Sequence, residues 1–204
     1  MPLQDLPTRR IMRVTAFEER LMELTSRNVY FIHGVLGDPD ALIATVNMAT
    51  LKRDDKDKPI WVILNSPGGE IIQGFAVCDA IAAAVKDGFT VNVLAIGLCA
   101  SMATAVLQSA SRRYSWPNTQ FLVHQAQSYG GESGQVEVNR VMEDADFLKK
   151  LNEIVLSIIA NRTGMPLKEL MTRSKKTDCW LTAEEAKSFG PNGLIDEIIT
   201  GFPF

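Results

Sequence analysis

An α/β fold with a mostly parallel sheet is what the sequence predicts, and three observations lead there. Apolar runs at 29–34 (VYFIHG), 60–64 (IWVIL), 90–97 (TVNVLAIG) and 120–125 (QFLVHQ) are too continuous for strands with one wet face, so they read as strands covered on both sides. Helical patterns at 39–51, 74–85 and 100–110 lie between them. Buried strands alternating with helices imply right-handed βαβ crossovers. Third, with 204 residues, 46% hydrophobic and 22% charged, the chain is large enough for one well-packed domain and short for two, so residues 1–204 are expected to form a single domain.

Taken in order, the first twenty residues, MPLQDLPTRRIMRVTAFEER, are polar and contain no apolar core of a secretory signal. The strand at 29–34 carries His33 at its end, and the helix at 39–51 runs into the charge-dense stretch LKRDDKDKP, read as a solvated helix end and loop. The strand at 60–64 closes on NSPGG, whose adjacent glycines let backbone approach a ligand without a Cβ in the way. Next, GLCASMATAVL at 97–107 places Ser101 at a helix start inside an almost wholly apolar stretch. His124 then ends the strand at 120–125, on the sheet edge where α/β folds form ligand crevices.

From 135 to 162 the period changes. Val138, Val141, Ala145, Leu148, Leu151, Val155, Ile158 and Ile159 recur at threes and fours, which predicts one long amphipathic helix ending near Thr163-Gly164 and closed by Pro166. A helix of that length should project from a small domain. Its apolar stripe then fits a partner subunit better than the chain's own sheet.

Several function classes are disfavoured. A net charge of −3 supplies no basic surplus for nucleic acid or anionic membrane, and no apolar run reaches the roughly 18 residues of a membrane span. Cys78, Cys99 and Cys179 have no paired spacing, so they read as reduced thiols rather than as a disulfide framework or a zinc site. These features predict a soluble, cytoplasmic protein.

Ser101 has two readings. Either it is a small packing residue bonded to the preceding turn, or it is a nucleophile whose developing oxyanion meets backbone N–H groups. The second requires a base within reach, and His33 and His124 are the two candidates; His33 suits a satisfied strand end and His124 suits the base. Ser66 to Gly69 would provide close-approach donors for the oxyanion, although Pro-Gly-Gly alone is only a turn.

PIWVILNSPGGEI, GLCASMATAVL, FLVHQ, LNEIVLSIIANRTGMPL and DCWLTAEEAKSFGPNGLIDEI occur in an order and spacing that resemble the proteolytic subunit of the Clp ATP-dependent protease, a serine peptidase family of crotonase-like fold. The resemblance covers about residues 20–198. It implies repeated ββα units with a protruding handle helix, the handle region being about 125–162, and a mobile or axial N-terminal segment at 1–19. Residue by residue, the family's nucleophile falls on Ser101, its general base on His124 and its orienting aspartate on Asp178. The oxyanion hole falls on the backbone N–H groups of Gly69 and Met102.

The resemblance further implies two stacked heptameric rings that enclose the active sites, and an AAA+ unfoldase that delivers unfolded polypeptide. No metal or organic cofactor is expected, because ATP would be used by the unfoldase. Cys99, near Ser101, fits a buried structural thiol better than a rival nucleophile. Two departures stand out: Lys176-Thr177 replaces the acidic-Arg pair frequent before the aspartate, and Ala126 replaces the usual proline in a segment about two residues longer. A paralogous subunit could complete the particle. Competing readings are a non-catalytic or partner-dependent ring subunit and an acyl-CoA enzyme of the crotonase superfamily.

Overall fold

The computed structural model describes residues 15–51, 57–127, 137–175 and 178–204. Helix α1 (Ala16–Ser26) opens on a capping box in which Thr15 Oγ1 accepts from the Glu18 amide and the Glu18 carboxylate accepts from the Thr15 amide. It leads into β1 (Val29–His33), α2 (Asp38–Ala49), β2 (Ile60–Ser66), α3 (Ile71–Lys86) and β3 (Val91–Ala100). Then follow α4 (Met102–Gln108), β4 (Arg112–Ser115), β5 (Gln120–Val123), α5 (Val138–Thr163), α6 (Leu167–Arg173), β6 (Cys179–Leu181), α7 (Ala183–Lys187) and β7 (Glu197–Ile198).

The strands form one mostly parallel sheet in the order β1-β2-β3-β4-β7, and the expected α/β architecture is present. Strand β2 is buried on both faces except at Asn65, as its unbroken apolar run requires. Helices α2, α3 and α4 pack beside it over a core that includes Leu64, Val77, Ile81, Val93, Met102 and Leu107.

Strand β3 organises the site because it serves two partners on one side. Asn92 to Ala95 pair with β4, whereas Leu98 to Ala100 pair with β5, and the change comes at Gly97, whose φ of +63 only glycine adopts without strain. Gly97 therefore bends the strand instead of ending it, and β3 runs to Ala100, past the end expected at 97. The following helix begins later than expected, at Met102 rather than 100, because Ala100 still belongs to the ladder with β5. Helix α3 starts earlier than the expected 74, at Ile71.

Helix α5 matches the long amphipathic pattern. Gly164 closes it in the left-handed conformation, with φ +71. Its C-terminal half buries Val155, Leu156 and Ile159, whereas Val138, Val141, Met142 and Phe147 in the N-terminal half stay exposed. That division matches a helix projecting beyond the fold that anchors it. The N-terminal expectation for 1–19 falls mostly outside the described residues, as do most of the charge-dense loop and part of the handle region. No helix among the described residues is long and apolar enough to cross a membrane.

Candidate active site

Ser101 sits at the junction of β3 and α4 with φ +55 and ψ −126, a combination that costs a residue bearing a Cβ on the order of 1–3 kcal/mol. The strain is held on both sides. Ser101 N donates to Leu122 O at 2.8 Å, and Ser101 O accepts from Thr104 N at 2.9 Å and from Thr104 Oγ1 at 2.6 Å. These bonds fix the serine at the sharp turn with its side chain half-buried at the sheet edge. The hydroxyl itself makes no cap hydrogen bond to the helix that follows.

Beside it lies the glycine turn. Gly68 N donates to Ser66 Oγ at 3.1 Å, and a Cβ on Gly68 would lie 2.7 Å from Ser101 Cβ and 2.9 Å from Met102 N. Only glycine lets the two backbones approach so closely. Gly69 bridges to Leu36, which donates to Gly68 O at 2.8 Å and accepts from Glu70 N at 3.0 Å. In a parallel bridge that geometry turns the N–H of the middle residue away, so Gly69 N faces the side opposite Leu36. Among the described residues neither Gly69 N nor Met102 N has an acceptor. Two unengaged donors next to a serine hydroxyl are the requirement for stabilising an oxyanion.

His124 and Asp178 follow from strand register. Phe121 pairs with Leu181, Leu122 with Trp180 and Val123 with Cys179 in an antiparallel ladder, so the next position sets His124 opposite Asp178. On the other edge of β5, Ala100 pairs with Leu122 in parallel, which brings Ser101 level with the end of the same strand. Three neighbouring strand ends therefore carry Ser101, His124 and Asp178. Their side chains are not yet joined: His124 Nδ1 is buried without a hydrogen-bond partner among the described residues, and Asp178 is exposed. Lys176 and Thr177, the departure noted before the aspartate, lie outside the described residues.

Ala126, the other departure, gains a structural role. Its N–H donates to Asn152 Oδ1 on α5 at 2.8 Å, a bond that a proline could not make. Ala126 is thus pinned to the long helix. His33 is exposed, and its Nδ1 lies 3.3 Å from Asn65 Nδ2, in keeping with a satisfied strand-end histidine. Burial drives the Cys99 thiol far above its ordinary range and pushes Cys78 up to about 11, so neither supplies a thiolate at neutral pH. Cys179 is only partly buried, and burial raises it as well.

Sequence reasoning missed the supports. Arg113 is 2% exposed and donates to Gln108 Oε1, Gly193 O, Asn192 O and both carboxylate oxygens of Asp196. Gly74 lets α3 cross Met102, because a Cβ there would overlap the methionine side chain. No sequence signal marked the second, because the expected helix began at Gly74 and only the earlier start at Ile71 puts the glycine inside it. Among the described residues no three His, Cys, Asp or Glu side chains are grouped to hold a metal ion. Compared with known families, residues 14–201 match the family described as Clp protease.

Proposed function

Because the chain belongs to the Clp protease family, we propose that it is a serine endopeptidase subunit, cleaving unfolded polypeptides by acyl transfer. The observation that carries the reading is the register across β3, β5 and β6, which sets Ser101, His124 and Asp178 at adjacent strand ends. In this mechanism Ser101 Oγ attacks the scissile carbonyl while His124 takes its proton. Asp178 holds the imidazole through Nδ1 and stabilises the imidazolium. The amides of Gly69 and Met102 receive the oxyanion, His124 returns the proton to the leaving amine, and water releases the acyl-enzyme by the same steps.

The chain is further proposed to form a single domain that assembles into two stacked heptameric rings and works with an AAA+ unfoldase in the cytoplasm, with no cofactor of its own. The apolar residues Val138, Val141, Met142 and Phe147, exposed on the N-terminal half of α5, support self-association. Confinement would then restrict cleavage to chains threaded inside.

A second reading is favoured by the open His124–Asp178 pair: the subunit aligns its triad only when a ring neighbour or a paralogous subunit closes on it. Labelling with a fluorophosphonate, followed by intact mass and light scattering on the same sample, tests both. Stoichiometric labelling of Ser101 in a large particle supports the self-sufficient enzyme. Labelling that appears only after a second subunit is added supports the partner-dependent one, and hydrolysis that survives Ser101→Ala overturns the nucleophile assignment.

A further inference from the structure

The ladder between β2 and β3 is interrupted beside the candidate site. Leu64 pairs with Ala95 and Ser66 with Cys99, so on β2 the single residue Asn65 faces Ile96, Gly97 and Leu98 on β3. A bulge of this kind leaves strand N–H groups without main-chain acceptors. Asn65 supplies one: its Oδ1 accepts from Leu98 N at 3.1 Å. With Oδ1 so engaged, the amide orientation is fixed, and Nδ2 donates to His33 Nδ1 at 3.3 Å, which ties the same side chain to β1. The bend at Gly97 is shaped around this side chain, since a Cβ on Gly97 would stand 3.0 Å from Asn65 Oδ1.

We propose that Asn65 is a positioning residue for Ser101, acting through Leu98. Resting on the reading of Ser101 as nucleophile, the inference adds what aims it. Leu98 is the first β3 residue to pair with β5, and three positions later the chain reaches Ser101. Fixing Leu98 N against β2 sets the angle at which the last stretch of β3 leaves the bend. That angle decides where the Ser101 hydroxyl stands relative to His124 at the end of β5. Asn65 itself touches neither reacting group. A displacement of about 1 Å at a reacting atom can cost as much as 100-fold in rate, so a remote acceptor can matter to turnover.

The test is steady-state peptide hydrolysis by the assembled protein, comparing Asn65→Leu, which keeps the side-chain size and removes the acceptor, with Asn65→Asp, which keeps the acceptor. The expected result is a kcat at least tenfold lower for Asn65→Leu with KM within about twofold, and a kcat within about threefold of wild type for Asn65→Asp. Fluorophosphonate labelling of Ser101 should slow in parallel, and hydrogen exchange of the 96–101 segment should quicken only in Asn65→Leu. Should Asn65→Leu not assemble, Asn65→Ala, smaller and equally without the acceptor, is measured in its place. Turnover in wild type together with an undiminished kcat in the variant lacking the acceptor overturns the positioning role alone. Equal loss in Asn65→Asp and Asn65→Leu also overturns it, whereas a wild type that neither turns over nor labels removes the nucleophile reading with it.

Discussion

Ser101 carries backbone strain that the proposed role as nucleophile would explain and its packing does not. A glycine at that position adopts φ +55 and ψ −126 freely, so Ser101→Gly should stabilise the fold by about 1 kcal/mol while ending hydrolysis, a trade visible as a higher urea midpoint in a dead enzyme. Ser101→Ala, which keeps a Cβ, should end hydrolysis without that gain and without loss of assembly. Legibility also differs residue by residue. Ser101 and His124 stand out in the sequence because one is a hydroxyl inside an almost wholly apolar stretch and the other is one of only two histidines, at the end of an apolar run. Asp178 does not, because nothing in residue type separates it from the other acids; only the β5–β6 register brings it opposite His124. Arg113 was hidden because an arginine reads as surface, whereas here a carboxylate, an amide and two carbonyls satisfy its guanidinium inside the protein.

Among the elements, the bend in β3 and the exposed end of α5 matter most. Replacing Gly97 by alanine forces a Cβ into the left-handed region and crowds Asn65, so Gly97→Ala should lower stability by about 1–2 kcal/mol and reduce turnover, as read by thermal melting and peptide hydrolysis. On α5, Phe147→Glu puts a charge on the exposed apolar stripe; the expected outcome is a smaller particle by light scattering with an unchanged far-ultraviolet spectrum. Elements with a sustained period or an unbroken apolar run were legible: α5, β1 and β2 fall close to where the sequence put them. Short strands without such a run were not. Strands β4, β6 and β7 span four, three and two residues, too few for a period to register. The ends of β3 and α4 were misread because Gly97 looks like a terminator in sequence, while in the sheet it redirects a strand that continues.

For the molecule as a whole, Arg113 and Asp196 fasten the C-terminal segment to the sheet. Arg113 Nη2 lies 2.5 Å from Asp196 Oδ1, and the same guanidinium holds the carbonyls of Asn192 and Gly193. Arg113→Met strands a partly buried carboxylate, and the expected cost is about 3–5 kcal/mol by urea unfolding. Burial alone would raise the Asp196 carboxyl, but its hydrogen bonds to Arg113, with the charges of Arg113 and Arg162, outweigh that and hold it below its ordinary value. A carboxyl depressed in the folded state contributes stability that is present above its unfolded pKa, near 4, and is lost as pH falls through the lower folded value. The urea midpoint should therefore drop between about pH 5 and 2, and Asp196→Asn should flatten part of that drop while lowering stability at neutral pH.

The pairing of β5 with β6 also orders events in time. Both strands lie at the site, yet all of α5 and α6 separates them in the chain. During synthesis Ser101 and His124 leave the ribosome well before Asp178, and the strand that carries the aspartate docks only after the long helix has formed and turned back. On the proposed function, a nascent subunit carries an incomplete proteolytic centre until nearly all of its own fold exists, which protects neighbouring unfolded chains, and the subunit itself, from premature cutting.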